Sequence, residues 1–328
     1  MLEAYIDESG TQSKDTRSLL FLAAYVAESD NWAKVSTEWT QLLKEYKVPH
    51  FHMNELRNVT KGLYRHLSMP ARMRLLDGLI GTLKKYALFG CLITLRPHEY
   101  AIVADQQFRN RYGSAYGMCV NLLLRQLHNS LLNPLSGPET INVFLERGHA
   151  NEGDAIRQLK DWKELTDPPP NEVEGQPVER KVPCFERTDL LRIGTYGSGT
   201  KDQMPPLHAA DLLAYIANSN AEIALNGRDD RFIEEIGDRL FASIPHISTS
   251  WNESALRSLV EAVREGDEEK SKVRSELHQM TKALNSFGLK VTKYPWGFTV
   301  DGRHLSEEEW RAYLAARPGI KDAFSQFL

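Results

Sequence analysis

The sequence predicts an α/β fold in which an antiparallel hairpin comes first and helix-linked strands follow. Three observations carry that reading. Short stretches rich in β-branched and large apolar residues recur at residues 2–7, 18–27, 86–95, 141–145 and 185–193, the pattern of buried or half-buried strands. The segments between the later ones carry apolar residues at helical spacing. Only the polar run Ser9 to Arg17 separates the first two, which suits a hairpin, whereas the later connections are long enough for helical crossovers.

In chain order, the hairpin of residues 2–7 and 18–27 is followed by Trp32, Trp39, Leu42, Leu43 and Tyr46 on one helical face. A second helix is expected after Ser68 as N-cap, with Pro70 in its first turn and Met73, Leu76, Leu79, Ile80 and Leu83 on one side. Tyr86 to Leu95 is the third strand. Residues 98–132 are helical in pattern, with a break allowed at Gly113 and Gly117. The fourth strand, Ile141 to Leu145, closes on Glu146, and a helix covers roughly residues 152–165.

Thr166 to Pro183, with Pro168, Pro169, Pro170 and Pro177, reads as a loop. Phe185 to Ile193 is the fifth strand, Gly194 to Gly199 a glycine-rich turn, and Pro206 to Ala217 an almost wholly apolar helix. A charged helix follows Gly266, then a small hairpin of Leu289 to Thr292 and Trp296 to Val300 around Pro295. Ser306 to Glu309 is a capping box opening a last helix. Residues 1–265 are read as one α/β domain and residues 266–328 as a small accessory α+β module.

With 328 residues, 41% hydrophobic and 26% charged, the composition is that of a soluble globular protein. The longest apolar run, Leu19 to Ala27, is too short to span a bilayer. Glu3 and Asp7 leave no basic leader, so the expected location is the cytoplasm with no membrane partner. Cys91, Cys119 and Cys184 are far apart, which excludes a disulfide framework or a cysteine zinc site and suits buried apolar roles. The net charge of −4 argues against an indiscriminately basic nucleic-acid binder. It conceals one basic segment: Arg57, Lys61, Arg65, Arg72, Arg74, Lys84, Lys85, Arg96, Arg109, Arg111 and Arg125, with Tyr64, Tyr112 and Tyr116 interleaved, from which a phosphate-binding wall could be built.

The chemistry lies in acids that sit where a plain core would exclude them. Asp7 and Glu8 end the first strand, Glu146 ends the fourth, and Asp211 interrupts the apolar helix between Ala210 and Leu212. A carboxylate among apolar neighbours costs several kcal/mol unless a cation or donor satisfies it. Hard oxygen ligands of this kind suit Mg²⁺ or Mn²⁺, and two such ions about 3.5–4 Å apart can clamp both oxygens of a phosphodiester exchange. Plainer roles exist for each: a turn-forming Asp7, a solvated Glu8, a Glu146 paired with Arg147, and capping roles for His52 and Glu55. Other signatures are missing. Gly194 to Lys201 has its lysine displaced by one from a phosphate loop, and there is neither a nucleophile elbow nor a His-Glu-x-x-His zinc helix.

Tyr5-Ile6-Asp7-Glu8-Ser9-Gly10, together with Leu207-His208-Ala209-Ala210-Asp211-Leu212-Leu213-Ala214-Tyr215, resembles the domain of unknown function 3800 family, grouped with the ribonuclease H-like superfamily. The resemblance covers roughly residues 1–225. It implies a mixed sheet of three antiparallel and two parallel strands flanked by helices, carrying an acidic metal site. Asp7 then matches the acid of the first central strand, Glu146 that of the fourth, Asp211 the helix acid, and Glu8 the second N-terminal acid. His208 stands where the family usually has Gln. Lys201 falls where a polar or basic residue is usual and is expected, with His52 and His208, on the substrate side.

The resulting expectation is a metal-dependent nuclease with Asp7, Glu8, Glu146 and Asp211 as catalytic residues and Asp7, Glu146 and Asp211 as ligands of Mg²⁺ or Mn²⁺. The alternatives are a non-catalytic nucleic-acid or protein-binding adaptor, with residues 266–328 as a partner surface, and a metal hydrolase of small phosphates.

Overall fold

The computed structural model describes residues 1–10, 18–58, 62–131, 140–166, 191–226, 230–268, 291–294, 297–300 and 303–305. The chain divides into two compact units, Met1–Val260 and Glu261–Leu328. The first contains β1 (Leu2–Ser9), β2 (Leu20–Glu28), α1 (Ser29–Glu45), α2 (Met53–Arg57), α3 (Met69–Tyr86), β3 (Phe89–Leu95), α4 (Pro97–Val103), α5 (Gln106–Tyr112) and α6 (Ala115–Leu131). It continues through β4 (Thr140–Glu146), α7 (Glu152–Thr166), β5 (Arg192–Gly199), α8 (Leu207–Asn226), α9 (Arg231–Ser243) and β6 (His246–Trp251). The second unit holds an antiparallel sheet of β7 (Val291–Tyr294), β8 (Gly297–Val300) and β9 (Arg303–Leu305).

The main sheet runs β5-β4-β1-β2-β3-β6. Its first three strands are antiparallel neighbours, and β4 and β5 are added in parallel on the other side of β1. This is the mixed, helix-flanked sheet of three antiparallel and two parallel strands implied by the family resemblance. A sixth strand, β6, extends it in parallel beside β3. Its sequence, His246-Ile247-Ser248-Thr249-Ser250-Trp251, has only half-buried or exposed residues, so it lacks the apolar run by which strands are recognised.

Every residue of β2 from Leu20 to Ala27 is buried, because both faces of that strand are covered. One face, through Phe21, Ala23, Tyr25 and Ala27, forms a core with Trp32, Val35 and Trp39 of α1, Leu75, Leu76 and Leu79 of α3, Leu212, Leu213 and Ile216 of α8, and Ile236 and Leu240 of α9. Helix α6 packs on β2 and β3 and against α7, which in turn packs on β5.

Several local expectations need correction. Gly194 to Gly199 is not a turn: it is the body of β5, hydrogen-bonded in parallel to β4, so no phosphate loop forms there. The ladder demands extended backbone, which glycine adopts at an entropic cost repaid by tertiary pairing. The long helical pattern of residues 98–132 is three helices, α4, α5 and α6, broken before Gln106 and at Gly113, whose φ of +74° ends α5. Ser68 precedes α3 without a side-chain cap bond. Residues 185–190 of the expected fifth strand, the loop beyond Thr166, Cys184 and the helix opened by Ser306 lie outside the described residues. Cys91 and Cys119 are free and buried, and no helix among the described residues is long and apolar enough to cross a membrane.

Candidate active site

Sheet register brings the acids together. Tyr5 of β1 lies beside Phe144 of β4, and their rings stack at 5.1 Å, which marks them as sharing a face. Two residues further along each strand, on that same face, come Asp7 and Glu146. Helix α8 packs across β1 and β2 and adds Asp211 from its first turns. Residues far apart in sequence thus meet at the C-terminal ends of parallel β1 and β4, where open α/β sheets place their sites.

At the centre of the three acids is the ammonium of Lys201, in the turn between β5 and α8. Its Nζ lies 3.0 Å from Asp7 Oδ2, 3.0 Å from Glu146 Oε2 and 3.1 Å from Asp211 Oδ1. Asp7 is 1% exposed, and the Lys201 side chain only 14%. The carboxylates are held from behind by backbone donors. Glu8 N–H donates to Asp7 Oδ1 at 2.7 Å, and Met53 N–H, at the start of α2, donates to Asp211 Oδ2 at 3.1 Å. Arg57, at the other end of α2, fastens that helix to Tyr215 Oη of α8 at 3.2 Å and to Asp230.

The electrostatics follow from burial and crowding. Burial pushes the Asp7 carboxyl well above its ordinary range, and a hydrogen bond shared with Glu146 adds to this against the pull of Lys201. On Glu146 burial is outweighed by that shared bond and by Lys201, so it lies below its ordinary value. Burial, and then the Glu146 charge, raise Glu8 to about 7. Burial pulls the Lys201 ammonium down, but Asp211, Asp7 and Glu146 together hold it well above the usual lysine range.

The other expected site residues are placed as follows. Glu8 follows Asp7 on the strand and so points to the other face. Its Oε2 is buried without a hydrogen-bond partner, and its charge is felt by Tyr116 at the start of α6. His52 stands at the N-cap position of α2 without a side-chain cap bond and donates its backbone N–H to Tyr64 Oη at 3.2 Å. Its Nδ1 is buried without a partner. His208 is 5% exposed, stacked at 6.3 Å on Trp39 and set edge-on to Phe51 at 6.2 Å. Burial lowers it to about 4, so it is a neutral ring in the core three residues before Asp211. Glu55 Oε2 accepts from Leu63 N–H at 3.4 Å.

His149 and the Met53 amide escaped the sequence reading. His149 stacks at 3.9 Å on Tyr116, a tyrosine the sequence placed in the basic segment and the fold buries. The signal for His149 was its place just beyond a strand-end acid. The Met53 amide left no side-chain signal. The basic segment, conversely, is largely absorbed by the fold. Arg72, Arg109 and Arg125 donate to backbone carbonyls or neutral side chains, and Arg57, Lys85 and Arg96 pair with Asp230, Glu38 and Glu99. Of these six, Arg57, Lys85 and Arg96 keep side chains 43%, 59% and 41% exposed. Lys61 lies outside the described residues.

No family model matches the sequence, and no curated protein is similar to it. Solved structures similar to it include the PCNA:RNase HII complex from Archaeoglobus fulgidus, at 13% identity and TM-score 0.32, covering 74% of this chain and 90% of that one. Another is Bst-RNase HIII in complex with Mn²⁺, at 15% identity and TM-score 0.31, covering 78% of this chain and 65% of that one. Such loose superpositions carry no argument about chemistry, which rests on the residues themselves.

Those residues can be tested against a divalent ion. Among the described residues no group of three or more His, Cys, Asp or Glu is gathered as a ready-made ion cage; the acids stand apart around an ammonium instead. The donor set nonetheless fits Mg²⁺ or Mn²⁺: every member is a hard carboxylate oxygen. Asp7 Oδ2 has only the ion pair with Lys201 and no partner in hydrogen-bond geometry.

Proposed function

We propose that this chain is a metal-dependent nuclease that hydrolyses phosphodiester bonds in nucleic acid, with Asp7, Glu146 and Asp211 as the ligands of Mg²⁺ or Mn²⁺. The observation that carries the reading is the meeting of three carboxylates, from two strands and one helix, within 3.1 Å of one cationic nitrogen. A structural core gains nothing from collecting buried acids in this way, since each charge must be desolvated. A bound divalent ion would supply Lewis acidity toward the phosphoryl oxygens and activate water as nucleophile.

The chain's own residues do the rest. Met53 N–H and Glu8 N–H fix the Asp211 and Asp7 carboxylates in place, as precise ligand positioning demands. His208, wedged against Trp39 and Phe51, positions the first turn of α8 and hence Asp211. His52, through its unpartnered Nδ1, and Lys201 are the groups for a substrate phosphate. His149, half-buried and backed by the buried Tyr116 ring at 3.9 Å, offers a stacking face for a base. Glu8, on the other face of β1 with a buried, unpartnered Oε2, stands as the second N-terminal acid of the proposed catalytic set, and residues 266–328 as an accessory module.

The test is to incubate the protein and Asp211→Ala with labelled single- and double-stranded RNA, DNA and hybrid, and with mononucleotides, in Mg²⁺, Mn²⁺ or chelator. Metal-dependent strand cleavage lost in the variant is the expected result. Turnover of mononucleotides alone would replace the substrate class, and no turnover under any condition would leave the adaptor reading in its place.

A further inference from the structure

We propose that Lys201 is a tethered counter-ion that fills the divalent ion's position in the metal-free protein and must vacate it for the ion to bind, so that metal loading and Lys201 release are one event. The proposal rests on the metal-dependent reading above and adds to it a competitor built into the chain.

The argument is one of distances and charge. The ammonium lies 3.0, 3.0 and 3.1 Å from the three carboxylates, as ion pairs with Asp7 and Glu146 and as a charge-assisted N–H···O bond to Asp211. Mg²⁺ demands oxygens at about 2.0–2.1 Å, so the same three oxygens must draw inward around an ion at the very point the nitrogen holds. Two cations cannot share it. One positive charge serves three acids, Asp7, Glu146 and Asp211, which leaves a divalent ion the better neutraliser.

The surroundings suit an exchange. Thr200 ties down the turn that carries Lys201, its carbonyl accepting from Gln203 N–H at 3.0 Å and Met204 N–H at 2.8 Å. The backbone can therefore stay while the flexible four-carbon stem swings. The stem is nearly buried but not sealed, at 14% exposure. Once expelled, the ammonium stands beside the ion, on the side from which an anionic substrate arrives. Apparent metal affinity then falls by the fraction of molecules whose acids are free of Lys201.

Calorimetric titration of the metal-stripped full chain with Mn²⁺ tests this in the wild type and in Lys201→Met. The variant is expected to bind at least ~10-fold more tightly, as it must if Lys201 holds the acids in nine molecules out of ten. Equal affinity overturns the competition and leaves the metal reading standing. Weaker binding by the variant also overturns it, since Lys201 would then support the ion. Absence of Mn²⁺ binding in both proteins overturns both readings. The wild type alone gives a second readout should the variant not fold: amine-reactive labelling mapped by peptide mass spectrometry. Lys201 is expected to be protected in chelator and labelled several-fold faster at saturating Mn²⁺, with Lys85 unchanged. A Lys201 labelling rate indifferent to bound Mn²⁺ overturns the proposal.

Discussion

Two buried cations, Arg72 and Lys201, show opposite uses of the same resource. Arg72 is 1% exposed, and its guanidinium donates to the carbonyls of Leu67, Leu56, Asn58 and Tyr64. It meets no carboxylate there, and burial lowers its proton affinity. Lys201 pairs with carboxylates from three elements, and its proton affinity is raised. A fork of donors satisfied by fixed carbonyls splices α2 to α3 and has no substitute, because no other group fits that set of acceptors. A point charge among acids has a substitute in any cation of the right size. The first arrangement is a staple and the second an exchangeable site. They are linked, since the α2 that Arg72 secures supplies the Met53 amide to Asp211.

The sharpest separation comes from Asp7→Asn. Losing a ligand of a site worth several kcal/mol of transition-state stabilisation should lower cleavage by about 10³-fold or more. The urea midpoint should hold or rise, because the amide oxygen keeps the Glu8 N–H and one buried acid is removed. An unfolded variant would erase the contrast, making Asp7 as structural as Arg72. Conversely, Arg72→Met should cost at least ~3 kcal/mol in urea unfolding, since four carbonyls lose a charged donor at once. A loss below ~1 kcal/mol would mean that those carbonyls find other partners.

The difference between the two cations also explains what the sequence disclosed. Asp7, Glu146 and Asp211 were visible because a carboxylate interrupting an apolar run violates local patterning, and such violations mark sites. The antiparallel start and the helix-linked strands were visible for the complementary reason that their patterns were regular. Arg72 was read only as part of a basic segment and Lys201 only through the family resemblance, as a substrate-side residue; that one faces carbonyls and the other acids was not legible. A basic residue on a predicted helix or turn looks the same whether it faces solvent, carbonyls or acids, and only tertiary pairing decides. β5 was misplaced because glycine and serine carry no strand propensity, so its extended form is imposed by β4. β6 was missed because its residues stay half exposed.

A smaller effect belongs to the turn after Asp7. Gly10 has φ +91°, and a Cβ there would lie 2.0 Å from the Leu19 carbonyl oxygen. The glycine of the Asp7-Glu8-Ser9-Gly10 motif is thus a backbone requirement and not a ligand. Gly10→Ala should destabilise by about 1–3 kcal/mol and leave Mn²⁺ affinity of the folded protein unchanged. A selective loss of metal affinity would assign the motif's glycine to the site.

The smallest effect sets the acidic site against a neutral one at the far side of the sheet. His246, on β6, lies 2.9 Å from Tyr25 Oη through Nε2 and packs edge-on to Phe241. Burial lowers its proton affinity to about 4, against a weaker opposing bond from the Ile244 backbone. An unfolded histidine titrates near ~6.5, so between pH 6.5 and 4 the unfolded chain takes up a proton that the folded one refuses. The contribution of His246 to stability is therefore flat above that window and falls as pH drops through it, by up to about 1.4 kcal/mol per unit, while the raised Glu8 and Asp7 carboxyls contribute with the opposite sign. His208 contributes with the same sign as His246, so His246→Gln should reduce the fall in urea midpoint between pH 7 and 5 without abolishing it. An equal fall in the two proteins would assign the acid sensitivity to groups other than His246. A steeper fall in the variant would mean that the His246 ring is protonated in the native state and that its contact with Tyr25 is charge-assisted.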